Sequence, residues 1–168
     1  MVVTTEIIRD LRAKTGAGVM DCKKALEESN GDMNGAISLL KEWGISAVQK
    51  KSSRSANQGV VETYVHAGGR IGVILELNCE TDFVARTPEF LSLAHDLALQ
   101  IASMDPQSID DENTDGSSED FDGETRLMHQ DFVKDPSQTI SDLITEAVSR
   151  IGENILVRRF TRYELGKS

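Results

Sequence analysis

Basic residues are scarce in this chain. Eighteen Lys and Arg stand against 28 Asp and Glu in 168 residues, for a formal net charge of −10. Proteins that bind nucleic acid neutralise phosphates with Lys and Arg, so this balance argues against nucleic acid as the main ligand. The one basic stretch, Val48 to Asn57 with Lys50, Lys51 and Arg54, is Ser-rich and has no apolar period; it reads as a helix tail and linker rather than a phosphate-binding patch. Cysteine is sparse too. Cys22 and Cys79 lie far apart in no metal-ligand spacing and read as free thiols in a reducing compartment. Aromatic residues make up only 5% of the chain, so the core is aliphatic. No apolar run nears the roughly 20 residues that span a bilayer, and Met1 to Glu6 lacks the basic and apolar regions of a signal peptide. The expectation is a cytoplasmic protein with no membrane attachment.

Catalytic chemistry is missing as well. No Gly-rich phosphate loop follows a strand, and Gly16-Ala17-Gly18 sits between helices without the accompanying lysine pattern. Cys79 beside Glu80, with His66 or His95 as base, is the one thiol-nucleophile option, and nothing in the sequence places these groups together. Three histidines and no nucleophile elbow leave no catalytic constellation, no metal site and no cofactor motif, which favours a protein that acts by binding. Asp105 to Glu124 carries nine acidic residues and no Lys or Arg, and reads as a surface loop. Asp111, Asn113, Asp115, Gly116, Glu119 and Asp122 within it have the spacing of a calcium loop. Asp122 stands where the bidentate Glu belongs, Ser118 replaces an apolar residue and no helix pattern flanks the stretch, so it reads as a solvated loop.

What is present is a regular α+β pattern. Three helices come first: Thr4/Thr5 to Lys14 with Ile7, Ile8 and Leu11 inward; Gly18 to Ser29 with Val19, Cys22, Ala25 and Leu26 on one side; and a third capped by Asp32, with Met33, Ala36, Ile37 and Leu40 at helical spacing, ending at Trp43-Gly44. Each is too short to stand alone in water, so residues 1–45 form a small bundle of the ubiquitin-associated (UBA-like) type. A linker over 46–58 leads to an α+β core over 59–168 that includes the acidic loop 105–124. Gly59–Leu77 reads as a hairpin turning at Ala67-Gly68-Gly69-Arg70. Thr87-Pro88-Glu89 opens a helix with Phe90, Leu93, Ala94, Leu97 and Ile101 on one face. Arg126–Lys134 reads as a short strand. Asp135-Pro136 opens a helix striped by Ile140, Leu143, Ile144, Ala147, Val148 and Ile151. Ile155–Tyr163 is a final strand with Arg158, Phe160 and Arg162 on one face. About four strands packed by two main helices leave sheet faces and edges uncovered, which invites self-association.

Between hairpin and helix lies Asn78-Cys79-Glu80-Thr81-Asp82-Phe83-Val84-Ala85-Arg86. A strand-to-helix junction holds side chains outward on a rigid frame, so Phe83 and Asp82 are candidates for a wedge against a partner. Residue type alone points the other way: a lone Phe is usually core, and Asp82 would cap a short helix.

That stretch, together with Lys14-Thr15-Gly16-Ala17-Gly18-Val19-Met20-Asp21-Cys22-Lys23-Lys24-Ala25-Leu26 and Ile151-Gly152-Glu153-Asn154-Ile155 followed by Arg158-Arg159-Phe160, resembles the translation elongation factor Ts family in residue and order. The resemblance implies a guanine-nucleotide exchange factor for the GTPase elongation factor Tu, with no covalent chemistry. It implies that Thr81, Asp82, Phe83 and Val84 intrude near the magnesium site of the GTPase. It further implies that the amino-terminal module docks on another GTPase helix through Arg9, Arg12, Val19, Met20 and Lys23; Val19 stands where the family usually has Met. Long members carry two related core halves and a coiled-coil insertion, whereas this chain has one half and an acidic loop. Short members work as homodimers, which implies two copies of a dimerisation-type core. Tyr64-Val65-His66-Ala67 with Arg70-Ile71-Gly72-Val73 is similar to the second half of long members, and implies that His66 supports the intruding Phe from the neighbouring subunit.

Overall fold

Helix α1, Thr5–Thr15, is capped by the Thr4 hydroxyl, which accepts from the Ile7 amide, and it closes on Gly16. Helix α2 spans Val19–Glu28 and α3 spans Met33–Lys51, the latter capped by Asp32 accepting from the Gly35 amide at 2.7 Å. Leu11, Cys22, Ala25, Leu26 and Ala36 form the fully buried centre of this bundle, with Ile7, Ile8, Met33, Ile37, Leu40 and Trp43 packed around it. The computed structural model describes residues 3–110 and 125–167. The acidic stretch from Asp111 to Glu124, with its calcium-loop spacing, lies outside the described residues.

The expected stop at Trp43-Gly44 is not a stop. Helix α3 continues to Lys51, so the first part of the expected linker 46–58 is helical. Gly44 is buried, and a Cβ there would lie 3.1 Å from Thr145 Cγ2 and 3.2 Å from Ser149 Oγ. The glycine permits close helix packing, and the helix passes through it.

Strands β1, Gln58–Val65, and β2, Ile71–Cys79, form the expected hairpin. With β5, Leu156–Glu164, they make an antiparallel sheet of order β1-β2-β5. Helix α5, Pro88–Met104, packs on β1 and β2, its first turn set by Thr87 as N-cap and Pro88 at the first helical position. The register assigns the two faces. Val60, Leu77 and Val157, then Glu62, Leu75 and Phe160, then Tyr64, Val73 and Arg162 share the inner face. Val61, Glu76 and Arg159, then Thr63, Ile74 and Thr161, then Val65, Gly72 and Tyr163 share the outer one, where Val61, Val65, Ile74 and Tyr163 are all exposed. Arg158 does not share a face with Phe160 and Arg162 as its spacing suggested. A register shift between Glu76 and Leu77 leaves Arg158 without a ladder partner and turns it to solvent. Arg162 is inward because its guanidinium donates to the Ala102 carbonyl at 3.1 Å and pairs with Asp105 at 3.2 Å, closing the end of α5.

Two further expectations are corrected. Within Arg126–Lys134, residues Leu127–His129 form a 3-10 turn, and the strand proper, β3, covers Asp131–Phe132. Asp135-Pro136 does not start a helix. Asp135 accepts from the Ser137 amide and hydroxyl, and Asp135–Thr139 is β4, paired with β3. Helix α6, Ile140–Ile151, starts later, where Thr139 and Asp142 satisfy one another's backbone amides reciprocally. Gln100, fully buried, holds the β3-β4 hairpin to α5. It donates to the Asp131 carbonyl at 3.0 Å and accepts from the Val133 amide at 2.8 Å. The fold is therefore α+β, with a helical bundle and a small antiparallel sheet. The chain divides into two compact units, Met1–Arg54 with Thr145–Glu153, and Ser55–Ile144 with Asn154–Ser168. Among the described residues no helix is long and apolar enough to cross a membrane.

Candidate functional site

The last two residues of strand β2 and the one that follows have side chains that face inward or tie back. Asn78, buried, donates from Nδ2 to the Ala56 carbonyl at 3.1 Å. Cys79, also buried, donates from Sγ to the Thr81 carbonyl at 3.1 Å. Burial of this thiol removes the access that a nucleophile needs. Glu80 accepts the Asn154 amide at 2.6 Å.

Thr81 then turns the chain. Its backbone is extended (φ −123°, ψ 150°), and its hydroxyl accepts from the Val84 amide at 3.3 Å, capping the single-turn helix α4, Asp82–Ala85. Ala85 is the buried foot of that turn, and the Thr87 hydroxyl donates to the Val84 carbonyl at 2.8 Å on its far side. Between these anchors Phe83 points out. It is 84% exposed, more than any other exposed large apolar side chain among the described residues. The expectation from residue type, a core Phe, is thus overturned: the turn is too short to bury both Ala85 and the residue two positions before it. Asp82 is exposed and pairs with Arg86 at 2.9 Å, one turn on. An exposed i,i+4 pair contributes only about 0.3–0.5 kcal/mol, so it leaves the carboxylate available to a stronger partner.

The bundle presents a second set. Val19 and Met20 are exposed at the start of α2, where Gly18 offers no side-chain cap. Arg9, Arg12 and Lys23 are exposed, with Lys23 lying 3.7 Å from Glu27. Cys22, one turn from Val19, faces the core, and burial pushes its thiol pKa up.

His66 stands at the open end of β1, beside the hairpin turn. Its Nδ1 lies 3.1 Å from the Tyr64 hydroxyl, and the Tyr64 ring meets His95 edge-on at 5.7 Å between centroids. His95 in turn lies 3.3 Å from Glu62. Tyr64 contacts both His66 and His95. Strand alternation puts Glu62, Tyr64 and His66 on one face, but nothing in the sequence brings His95 across from α5. Among the described residues no group of three or more His, Cys, Asp or Glu is placed to hold a metal ion.

Known proteins resemble this chain over nearly its whole length. A sequence model of the family described as Elongation factor TS matches residues 45–120. Elongation factor Ts of Carboxydothermus hydrogenoformans is 44% identical over 196 aligned positions, covering 99% of this chain and 90% of that protein. Elongation factor Ts of Desulfitobacterium hafniense is 46% identical, covering 98% and 90%. For that of Herpetosiphon aurantiacus the identity is 42%, with both chains covered in full. Likeness at that level over whole chains has one reading: this chain belongs to the elongation factor Ts family.

Proposed function

We propose that this elongation factor binds elongation factor Tu and promotes release of GDP from it, acting as a guanine-nucleotide exchange factor in the cytoplasm with no covalent chemistry of its own. The observation that carries the reading is the water-exposed Phe83, fixed on a one-turn helix tied at both ends. Magnesium bridges nucleotide phosphates only in near-ideal octahedral geometry, so a small displacement of its surroundings weakens GDP. Phe83 wedges between helices of the GTPase while Asp82 exchanges Arg86 for polar groups there, and Thr81 and Val84 frame them. The state they select is one with a disturbed magnesium and phosphate site. Coupling runs both ways: the factor weakens GDP, and GDP weakens the factor.

Inverting a population from 1:99 to 99:1 takes about 5.5 kcal/mol of differential affinity. A single hot-spot side chain supplies about 2–4 kcal/mol, so the amino-terminal contacts contribute too. Arg9, Arg12 and Lys23 steer and hold, and Val19 and Met20 bury apolar area. Met20→Ala is expected to weaken the complex about tenfold while leaving the maximal release rate near wild type, because Met20 binds without touching the nucleotide site. Titrating the factor against GTPase loaded with fluorescent GDP separates the two quantities.

The same reading places two copies together. The outer sheet face offers Val61, Val65, Ile74 and Tyr163 to solvent on a three-stranded sheet, and a second copy covers it. His66, at the end of that sheet, supports Phe83 of the second copy. The double variant Ile74→Asp, Tyr163→Asp is expected to run as a folded monomer by light scattering at micromolar concentration, where the unmodified chain runs as a dimer. The reading as a whole is tested by capture. The chain should retain elongation factor Tu from a purified mixture in near-equal amount, and added GDP should release it; retention that ignores GDP would remove the exchange assignment. Neither nucleic acid nor a membrane takes part.

A further inference from the structure

A helix of one turn does not hold itself. Helix nucleation fixes several residues for a single hydrogen bond, so α4 keeps its shape only through what ties it to the rest of the fold. One of those ties comes from far along the chain. The last paired residues of β2 and β5 are Asn78 and Leu156, in antiparallel register. Two steps further that register sets Glu80 opposite Asn154. There the strands have parted, and no backbone ladder continues. The Glu80 side chain takes over. Its Oε1 accepts the Asn154 amide at 2.6 Å, the short distance of a charge-assisted bond, and Asn154 is buried. That amide lies two residues past Gly152, in the turn between α6 and β5 (φ of Gly152 is 85°). Without an acceptor, a buried amide in such a turn is costly.

We propose that Glu80 is a positioning residue for the Asp82–Phe83 projection: its carboxylate stands in for a ladder carbonyl where β2 and β5 separate, and so fixes the direction in which α4 leaves the sheet. Glu80 is joined to Thr81, the cap of α4, so a swing of its backbone carries Phe83 with it. The bond spans 74 positions in sequence, so local propensity does not replace it. This inference rests on the exchange reading above.

The test uses the full chain and elongation factor Tu loaded with fluorescent GDP, with release followed at increasing factor concentration. Glu80→Ala is expected to lower the maximal rate about tenfold while the half-saturating concentration stays within about twofold, since the amino-terminal contacts are untouched. Glu80→Gln, whose amide oxygen still accepts, is expected to recover at least half of the loss. The Asn154 amide proton, followed by NMR, should move upfield in Glu80→Ala and stay near its original position in Glu80→Gln. If Glu80→Ala fails to fold, Glu80→Asp, which draws the carboxylate back by one methylene, takes its place and should show the same low maximal rate. Phe83→Ala is run alongside. Loss of rate in Phe83→Ala with none in Glu80→Ala overturns the positioning role and leaves the exchange reading standing. Full rate in Phe83→Ala overturns the exchange reading itself. Equal loss in Glu80→Ala and Glu80→Gln, with the Asn154 amide unmoved in the latter, also overturns the positioning role.

Discussion

Replacing Phe83 with alanine is expected to cut the maximal rate of GDP release from elongation factor Tu about 30-fold, corresponding to roughly 2 kcal/mol at the lower end of hot-spot losses. Two features make this variant decisive. First, the ring is 84% exposed, so its removal takes nothing from the core. The change in unfolding free energy is expected to stay within about 0.5 kcal/mol, the range of ordinary surface substitutions. A loss of activity therefore cannot be assigned to a damaged fold. Second, the turn that carries the ring is held by the Thr81 and Thr87 hydroxyls and by buried Ala85, none of which the substitution touches. Stopped-flow release of fluorescent GDP gives the rate, and urea unfolding gives the stability. Wild-type acceleration by Phe83→Ala would end the wedge assignment.

Gly59→Ala should produce the largest loss of stability. Gly59 pairs with Asn78 across the hairpin and has φ of 148°, a backbone conformation that side chains rarely adopt. A Cβ there would fall 2.0 Å from the Leu77 carbonyl oxygen and 2.8 Å from the Asn78 Cα. Both are backbone atoms of a central strand, so no flexible side chain can yield. Strained backbone of this kind costs of order 1–3 kcal/mol, and the clash adds to it, so the expected loss is about 3 kcal/mol or more. Urea unfolding should show a lower midpoint. A change below about 1 kcal/mol would mean that the hairpin enters β1 by a different path. The site also adjoins the start of the Asn78–Arg86 stretch, so exchange activity is expected to fall with stability.

Local signals told most about the elements whose ends they mark. Thr4, Asp32 and Thr87 cap the helices where the sequence placed them, because a hydroxyl or carboxylate three residues before an amide needs no tertiary partner. The hairpin was legible from alternation and from Gly68-Gly69. Signals failed where two of them competed or where packing overrode them. Asp135-Pro136 and Thr139 with Asp142 both resemble helix starts, and only the second pair can satisfy amides reciprocally. Gly44 resembles a terminus until Thr145 and Ser149 are seen against it. Gln100 breaks an apolar stripe in α5 because the β3-β4 hairpin brings it buried backbone groups to satisfy, and those come from some 30 positions away. At the candidate site the contiguous Thr81–Val84 segment was readable as a unit. That Phe83 is wet, and that Glu80 reaches Asn154, depend on where distant segments end.

A ring kept in water carries a standing hydration penalty, roughly 1.5–3 kcal/mol relative to a buried one. For Phe83 the fold never recovers it; on the exchange reading, the partner cleft that closes over the ring does. On that reading the chain brings to each encounter a drive that salt screening does not weaken. On the exchange reading its signature is a negative heat-capacity change and an attraction that fades in the cold, unlike the Coulombic pull proposed for Arg9, Arg12 and Lys23.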